Sequence, residues 1–329
     1  MRITSSMICW NEEKTIDLSL KSIADFADEV VIVDTGSFDN TLKVAQETMD
    51  KLSISGQIKQ KKITKLVDAR LESVQLCNGD WVLMQDSNLV LSNALKHEIT
   101  KNMKIHPNFV GALKSLNLMG DYSHFFENRA FMAYHNVFVK RDEIKWNTNI
   151  DRPVFLGKTI NYKCWAVNLS RVRPAWRYWL RGEQFDRRYY DNKAKKSDIN
   201  PSLVEYVKSK MGLTLNDVKH IAPRWLRDMI SKYEKPKGHQ NIANIQYHWQ
   251  KEDKYHSILE YIENTKGITL EDVKELAPDW FLRQLVVEAK RLTPAYKLGL
   301  PEVIREEMED PRYKLIYKGD EIIGRWPEL

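Results

Sequence analysis

The chain lacks any apolar run of the roughly 18 residues that a membrane-spanning helix requires. Its apolar start meets charge at Glu12 and offers no cleavage site, so we interpret it as a first strand and not as a signal peptide. Cysteine is also scarce, because Cys9, Cys77 and Cys164 form an odd, widely separated set without metal-site spacing. These absences exclude an integral membrane protein and a disulfide scaffold, and they predict a cytoplasmic protein with reduced thiols.

The residues that are present have the composition of an ordinary globular protein. Apolar residues make up 43% and charged residues 29% of a chain of 329 residues, which is long enough for two domains. Residues 1–50 carry 4 basic and 10 acidic side chains, whereas residues 151–250 carry 20 basic and 9 acidic ones. The basic middle indicates either a face that meets an anion or an ordinary solvated surface.

Strand and helix patterns alternate through the first half of the chain. Two apolar runs, 29–34 and 81–86, are typical of buried parallel strands, and each ends in an acid. Helical periods lie at 15–26 and from about 41 to 49. Because ligands bind at the carboxyl ends of strands in an open parallel sheet, we predict an α/β catalytic domain over residues 1–165.

Four motifs occur in order within these elements. They are Ile8-Cys-Trp-Asn-Glu-Glu-Lys-Thr-Ile16, Asp28-Glu-Val-Val-Ile-Val-Asp-Thr-Gly-Ser-Phe-Asp-Asn-Thr41, Asp68-Ala-Arg70 and Asn78-Gly-Asp-Trp-Val-Leu-Met-Gln-Asp-Ser-Asn88. In this order they resemble family 2 glycosyltransferases of the GT-A fold, which is Rossmann-like with a mostly parallel sheet. The resemblance implies an inverting sugar transfer from a nucleotide-diphosphate sugar, most often a UDP-sugar. Another doubly wound nucleotide-binding domain is the alternative.

The resemblance also assigns nucleotide-sugar binding to particular residues. The loop after the first strand would frame the nucleotide through Trp10, Asn11 and Glu12. Asp34 would accept a hydrogen bond from the imide N–H of uracil, and the guanidinium of Arg70 would lie near the base or the diphosphate. The alternatives are that Asp34 caps the next turn and that Arg70 pairs with Asp68.

The segment Asp86-Ser87-Asn88 occupies the place of the family's Asp-x-Asp element. By resemblance, Asp86 and Ser87 would contact the donor, and Asp86 and Asn88 would hold Mn²⁺ or Mg²⁺ on the diphosphate. Asn88 offers a neutral carbonyl, which attracts a hard cation less than a carboxylate does. A cation is still expected, because the leaving UDP must be neutralised.

The catalytic base is assigned by position. An inverting transfer needs a carboxylate to take the proton of the acceptor as it attacks the anomeric carbon. Asp151 falls where relatives with a similar start carry the His of a His-Glu pair, and it is our first choice. Asp121 and Glu127 are held in reserve. The alternative for Asp151 is a turn residue before Arg152 and Pro153.

The last third of the chain contains an internal repeat. Residues 203–230 match residues 258–285 at 11 of 28 positions. Each copy carries Thr-Leu-x-Asp, in which the Thr can cap the next helix and the Asp favours its positive end. We predict an all-α region with a duplicated helical module over 201–329, which packs on itself or on a partner, including a second copy of the chain.

A basic, aromatic segment connects these regions over residues 166–200. Arginines alternate with aromatic residues in Ser170-Arg-Val-Arg-Pro-Ala-Trp-Arg-Tyr-Trp-Leu-Arg181. Such a pattern can stack on bases or sugars and pair with phosphates, or it can form an amphipathic helix that closes over a donor site.

Three functions are therefore compatible with the sequence. The first is an enzyme that moves a hexose from a UDP-sugar to a hydroxyl of a glycan, a lipid-linked sugar or a protein. The second is a viral-type glycosyltransferase that acts on modified bases in DNA, which the basic aromatic segment favours. The third is a catalytically inactive nucleotide-sugar-binding protein, which Asn88 and the missing His-Glu pair favour.

Overall fold

The computed structural model divides the chain into two compact units. The first unit comprises residues 1–173, 289–320 and 324–327, and the second comprises 174–288, 321–323 and 328–329. The structure describes residues 1–61, 66–126, 131–132, 137–146, 153–155, 158–177, 259–260, 263–264, 269–272, 274, 292–308 and 312–326. The sheet and the candidate site described below belong to the first unit.

Fifteen strands are described, and we number them in chain order. They are β1 (Ile3–Cys9), β2 (Glu29–Asp34), β3 (Gly56–Gln60), β4 (Trp81–Asp86), β5 (Leu89–Leu91), β6 (Val110–Met119), β7 (His124–Phe126), β8 (Phe131–Met132), β9 (Val137–Lys140), β10 (Ile144–Trp146), β11 (Pro153–Phe155), β12 (Thr159–Arg171), β13 (Leu292–Pro294), β14 (Lys314–Lys318) and β15 (Glu321–Trp326).

Five α-helices are labelled in the same way. They are α1 (Ile16–Ile23), α2 (Thr41–Lys51), α3 (Leu66–Gln75), α4 (Asn93–Ile105) and α5 (Glu302–Glu307). In the part of the chain that the structure describes, no helix combines the length and the apolar character that crossing a bilayer would need.

One sheet organises the first unit. Strands β3, β2, β1 and β4 lie side by side and are parallel. β9 runs antiparallel between β4 and β6, and β12 pairs with β6 in parallel. Because β9 opposes both of its neighbours, β6 and β12 run in the same direction as β1. The carboxyl ends of β1, β2, β4, β6 and β12 therefore meet at one edge of the sheet, which we call the carboxyl edge.

The predicted alternation of strands and helices is confirmed in the first half of the chain. Every residue of β2 is buried, as expected for a β-branched strand covered on both faces. In the core, the Trp81 ring of β4 stacks on the Phe138 ring of β9, with centroids 5.1 Å apart. The centroid of the Phe109 ring lies 5.0 Å from that of Trp81. This packing joins β4 to β9 in the core of the sheet.

The prediction of an all-α C-terminal region is wrong for residues 292–326. β13 pairs antiparallel with β7, which extends the main sheet, and β14 and β15 form a two-stranded sheet. The turn after β14 contains Gly319 at a φ of +63°, a left-handed conformation that glycine adopts without steric cost. The all-α prediction rested on the internal repeat and missed the hairpin signal Lys318-Gly319-Asp320.

The described part of the repeat supports the predicted cap in its second copy. The Asp272 carboxylate accepts hydrogen bonds from the Thr269 N–H at 2.8 Å and hydroxyl at 2.7 Å, and the Asp272 N–H donates to the Thr269 hydroxyl at 3.2 Å. This reciprocal pair is a capping box. The first copy lies outside the described residues, so the duplicated module stays a prediction.

Candidate active site at the carboxyl edge

Asp34 lies at the carboxyl end of β2 and is fully buried. One carboxylate oxygen accepts the N–H groups of Gly36 at 2.9 Å and Ser37 at 2.8 Å, and the side-chain amide of Gln60 at 3.1 Å. The other accepts the hydroxyl of Ser37 and the thiol of Cys9. The predicted turn cap is therefore present. Any contact of Asp34 with a nucleotide ring would have to share or replace these donors.

The Cys9 thiol beside Asp34 stays protonated. Burial, together with the charge of Asp34, raises its pKa well above the ordinary value of a thiol. The thiol therefore acts as a weak donor to the carboxylate, at a distance of 3.4 Å, and it is not a nucleophile.

The loop after β1 is bonded to the loop after β2 through Asn11. The Asn11 N–H donates to the Ser37 hydroxyl at 2.7 Å, and the Asn11 side chain accepts the Phe38 N–H at 3.0 Å. Asn11 has a φ of +52°, a left-handed conformation that asparagine tolerates. The Trp10 ring meets Phe38 edge-on, with centroids 6.4 Å apart. Trp10 and Asn11 thus form one side of the site together with the β2 loop.

Glu12 is the centre of a buried polar cluster, which we call the Glu12 cluster (Glu12, Asn88 and Arg173). One Glu12 oxygen contacts the Arg173 guanidinium at 2.7 Å and accepts the Asn88 side-chain amide at 3.2 Å. The other oxygen accepts the Thr15 hydroxyl at 2.7 Å. The Arg173 and Glu12 side chains are only 1% and 2% exposed. In the sequence, Arg173 was predicted only as one arginine of the basic, aromatic segment 166–200.

The Glu12 cluster explains why an amide stands in the third position of Asp86-Ser87-Asn88. Glu12 needs a donor from Asn88, and a carboxylate there would place two negative charges about 3 Å apart. With its nitrogen directed to Glu12, the buried Asn88 amide oxygen has no hydrogen-bond partner among the described residues. An orphaned oxygen of this kind fits a cation ligand. Ser87 is buried next to it, at 1% exposure.

Arg70 reaches the end of β4 from α3. Its guanidinium donates to the Gln85 carbonyl at 2.9 Å and pairs with the Asp86 carboxylate. The Arg70 side chain is 14% exposed and that of Asp86 is 35% exposed, so the carboxylate is the more accessible partner. The alternative in which Arg70 pairs with Asp68 is therefore replaced by pairing with Asp86.

The register of β1 brings these motifs to one place. Cys9 pairs with Asp34 on one side of β1, and Ile8 pairs with Asp86 on the other. Asp34 and Asp86 are thus separated by two strand spacings, about 10 Å, with Arg70 beside Asp86. Within the described residues, no group of three or more His, Cys, Asp or Glu side chains is arranged to hold a metal ion.

Of the three predicted bases, the structure describes only Asp121. Asp151 and Glu127 lie outside the described residues. Asp121 follows β6 at the carboxyl edge, 3% exposed, and it accepts the N–H groups of Ser123 at 2.8 Å and His124 at 2.9 Å. Its carboxylate also lies 2.9 Å from Nδ1 of His124. His124 was missed in the sequence, where the spacing Asp-x-x-His was its only signal.

A second missed residue, Arg325, joins two strand ends at the carboxyl edge. Its guanidinium donates to the Gly120 carbonyl at 3.1 Å and to the Arg173 carbonyl at 2.6 Å. It also lies 4.6 Å above the Tyr313 ring, in a cation–π contact. Arg325 is 3% exposed. It therefore holds the segments after β6 and β12 together from within the protein.

Asp39, in the loop after β2, makes the stability of this region dependent on pH. Burial raises its pKa from 3.8 to about 6, and the charge of Glu13 adds to the rise. Between about pH 4 and pH 6 the folded protein keeps this proton while the unfolded chain loses it, so the stability from this group decreases as pH rises. We expect Asp39→Asn to reduce the slope of the free energy of unfolding against pH between about pH 4 and pH 6, as measured by urea unfolding.

A matched control for this measurement is Asp50→Asn, which changes an exposed acid on α2. The control should keep the slope of the wild-type protein. An unchanged slope in Asp39→Asn would contradict the assignment of the titration to Asp39.

The sequence is similar to those of known proteins. The family model described as "Glycosyl transferase family 2" matches residues 6–170. An uncharacterized glycosyltransferase of Rickettsia bellii is 30% identical over 101 residues, which are 30% of this chain and 31% of that protein. One of Rickettsia conorii is 31% identical over 101 residues, covering 30% and 33%. The chain thus matches about a third of the length of these relatives.

Two solved structures are more distantly similar. S. aureus TarS 1–349, in complex with UDP, aligns with 92% of this chain and 98% of that one, at 13% identity and a TM-score of 0.40. Glucosyl-3-phosphoglycerate synthase from Mycobacterium tuberculosis, in complex with Mg²⁺ and UDP, aligns with 35% of this chain and 43% of that one, at 20% identity and a TM-score of 0.28.

Proposed function

The chain belongs to glycosyl transferase family 2, and from this premise we propose that it transfers a hexose from a UDP-sugar to an acceptor hydroxyl with inversion. The observation that carries the proposal is the meeting of the motif residues at the carboxyl edge. Asp34 and Asp86 flank the end of β1, and Arg70 pairs with Asp86. Acid and guanidinium groups at this edge are suited to the hydroxyls and phosphates of a nucleotide sugar.

Each group has a separate part in binding the donor. The partly exposed Asp86 carboxylate would accept ribose hydroxyls, which donate well to a carboxylate. Asp34 would take the imide N–H of uracil by exchanging one of its present donors, and the Trp10–Glu12 loop would frame the ring. The acceptor is a glycan, a lipid-linked sugar or a protein.

A divalent cation fits this site. Asp86 and the orphaned amide oxygen of Asn88 are oxygen ligands of the type that Mn²⁺ and Mg²⁺ prefer, and the donor phosphates would supply further charge. When bound, the ion would stabilise the negative charge of the leaving UDP. Arg173 lies in the same cluster, with Nε and Nη1 lacking hydrogen-bond partners among the described residues, and its charge would assist.

The transfer itself forms one bond and breaks another. The acceptor oxygen attacks the anomeric carbon while the bond from that carbon to the phosphate oxygen breaks, and the electron pair leaves with UDP. The acceptor proton goes to a base, for which the sequence prediction is Asp151, with Asp121 and Glu127 as the other candidates.

A thermal-shift panel tests donor binding. We expect one of UDP-glucose, UDP-galactose or UDP-N-acetylglucosamine, with Mn²⁺, to stabilise the protein by about 2.7 kcal/mol at a concentration of 100 times Kd. Asp86→Ala should abolish the shift, because the accessible carboxylate is lost. Asp86 is a sharper target than Asp34, whose replacement would also release the Gly36–Ser37 turn.

The control and a second readout complete this test. Asp50→Ala, an exposed acid on α2, should keep the full shift. Release of UDP from the bound donor would separate an enzyme from an inactive binding protein. A protein that none of the donors stabilises, with Mn²⁺ or with chelator, would refute the proposal.

A further inference from the structure

The segment after β6 carries a pair of titratable side chains at the carboxyl edge. Asp121 and His124 lie three residues apart, and the Tyr122 hydroxyl between them donates to the Lys14 carbonyl at 3.3 Å. Lys14 follows Glu12 in the loop that we assign to the donor. The pair therefore lies on the same edge as the proposed donor site, after the end of β6, which runs in the same direction as β1 and β4.

The geometry of the pair fixes the tautomer of the neutral imidazole. Asp121 lies 2.9 Å from Nδ1 of His124, and its carboxylate is itself held by the N–H groups of Ser123 and His124. A carboxylate can only accept a hydrogen bond, so Nδ1 carries a proton, and in the neutral imidazole the lone pair is then on Nε2. The side chain of Asp121 is 5% exposed and that of His124 is 20% exposed. The imidazole therefore has a fixed, buried partner at Nδ1, on a side chain that is itself partly exposed.

An aromatic ring borders Nε2 of His124. The Tyr317 hydroxyl lies 3.5 Å from Nε2 of His124, and the two rings have centroids 6.1 Å apart. Tyr317 is 44% exposed, and burial of its hydroxyl, together with the charge of Asp121, raises its pKa. It therefore stays a neutral phenol. Arg325, which binds the Gly120 carbonyl, is a further charged group of this corner.

We propose that His124 is the base of the transfer, that Asp121 positions it, and that Tyr317 borders the acceptor sugar. This inference rests on the proposed function. Nε2 takes the proton of the acceptor hydroxyl as its oxygen bonds to the anomeric carbon, and UDP leaves with the electrons of the broken C–O bond. The proton then passes from Nε2 to solvent. An exposed phenol ring beside the base suits the apolar face of a sugar ring, so the acceptor is a carbohydrate hydroxyl.

The test compares His124→Gln with the wild-type protein and with His97→Gln, an exposed histidine on α4. The assay measures UDP release from the donor chosen in the panel, first with water and then with methyl hexosides as acceptors. We expect His124→Gln to lower kcat by about 100-fold or more, with an unchanged donor-induced thermal shift. His97→Gln should match the wild-type protein.

Three further readouts separate catalysis from a structural role. The pH–rate profile of His124→Gln should lack the acidic limb of the wild-type profile. Added imidazole should restore part of the activity of His124→Ala. Asp121→Asn should lower kcat and leave the KM for the donor unchanged, because it removes the positioning of the ring.

Defined outcomes would overturn this inference. Normal kcat in His124→Gln refutes it, and so does loss of the donor-induced thermal shift together with turnover, which indicates a structural role. Abolished turnover in Asp151→Asn with retained turnover in His124→Gln assigns the base to Asp151 instead. A wild-type protein that neither binds donor nor releases UDP contradicts the proposed function itself, which is a distinguishable result.

Discussion

Replacing Glu12 with alanine is expected to lower the free energy of unfolding by about 3–5 kcal/mol, the range for breaking a buried ion pair. The Arg173 guanidinium is almost fully buried, so removal of Glu12 leaves its charge without the carboxylate that compensates it. The Asn88 amide and the Thr15 hydroxyl lose an acceptor in the same substitution. Urea unfolding monitored by tryptophan fluorescence measures the change.

Two control variants separate the effect of burying an ion pair from the effect of removing a charge. Glu47→Ala breaks an exposed ion pair with Lys43 on α2 and should change stability little. Arg173→Met in the Glu12→Ala background should recover part of the loss, because it removes the uncompensated charge. A loss below about 1 kcal/mol in Glu12→Ala, the value of an exposed pair, would contradict the role of the Glu12 cluster.

Arg325→Met is expected to cost about 3 kcal/mol, since hydrogen bonds to charged donors contribute about 1.5–3 kcal/mol each. The substitution removes two such bonds and leaves the Gly120 and Arg173 carbonyls without this donor. It also removes the contact above the Tyr313 ring. Because these carbonyls belong to the segments that carry His124 and Arg173, turnover should decrease as well.

The control for this variant is Arg305→Met, which alters an exposed arginine on α5. We expect it to retain both stability and UDP release. If Arg325→Met unfolded at the wild-type urea concentration, the guanidinium would not be what joins the ends of β6 and β12.

Local signals in the sequence were sufficient to predict much of this site. The β-branched run of β2 and the acids that end β2 and β4 placed Asp34 and Asp86 at one edge, and the structure has them on either side of β1. The Thr269–Asp272 cap was also predictable, since its hydrogen bonds join residues three apart. Each of these features depends on neighbours in the chain.

Features that depend on distant partners could not be predicted in this way. Arg325 and Gly120 are 205 residues apart in the chain, and no periodicity relates them. β13 could not be identified because three residues carry no pattern, and its conformation comes from pairing with β7. The Asp121–His124 pair was within reach, because the two residues are only three positions apart.

The division of the first unit along the chain has a consequence for its biosynthesis. Residues 174–288 lie between two parts of that unit, and a ribosome needs on the order of ten seconds to synthesise such a stretch. Throughout that delay the nascent sheet lacks β13 and Arg325. The edge strand β7 and the carbonyls of Gly120 and Arg173 therefore remain exposed to water. We therefore expect newly made molecules to complete this edge of the sheet only after β13 and Arg325 have been synthesised.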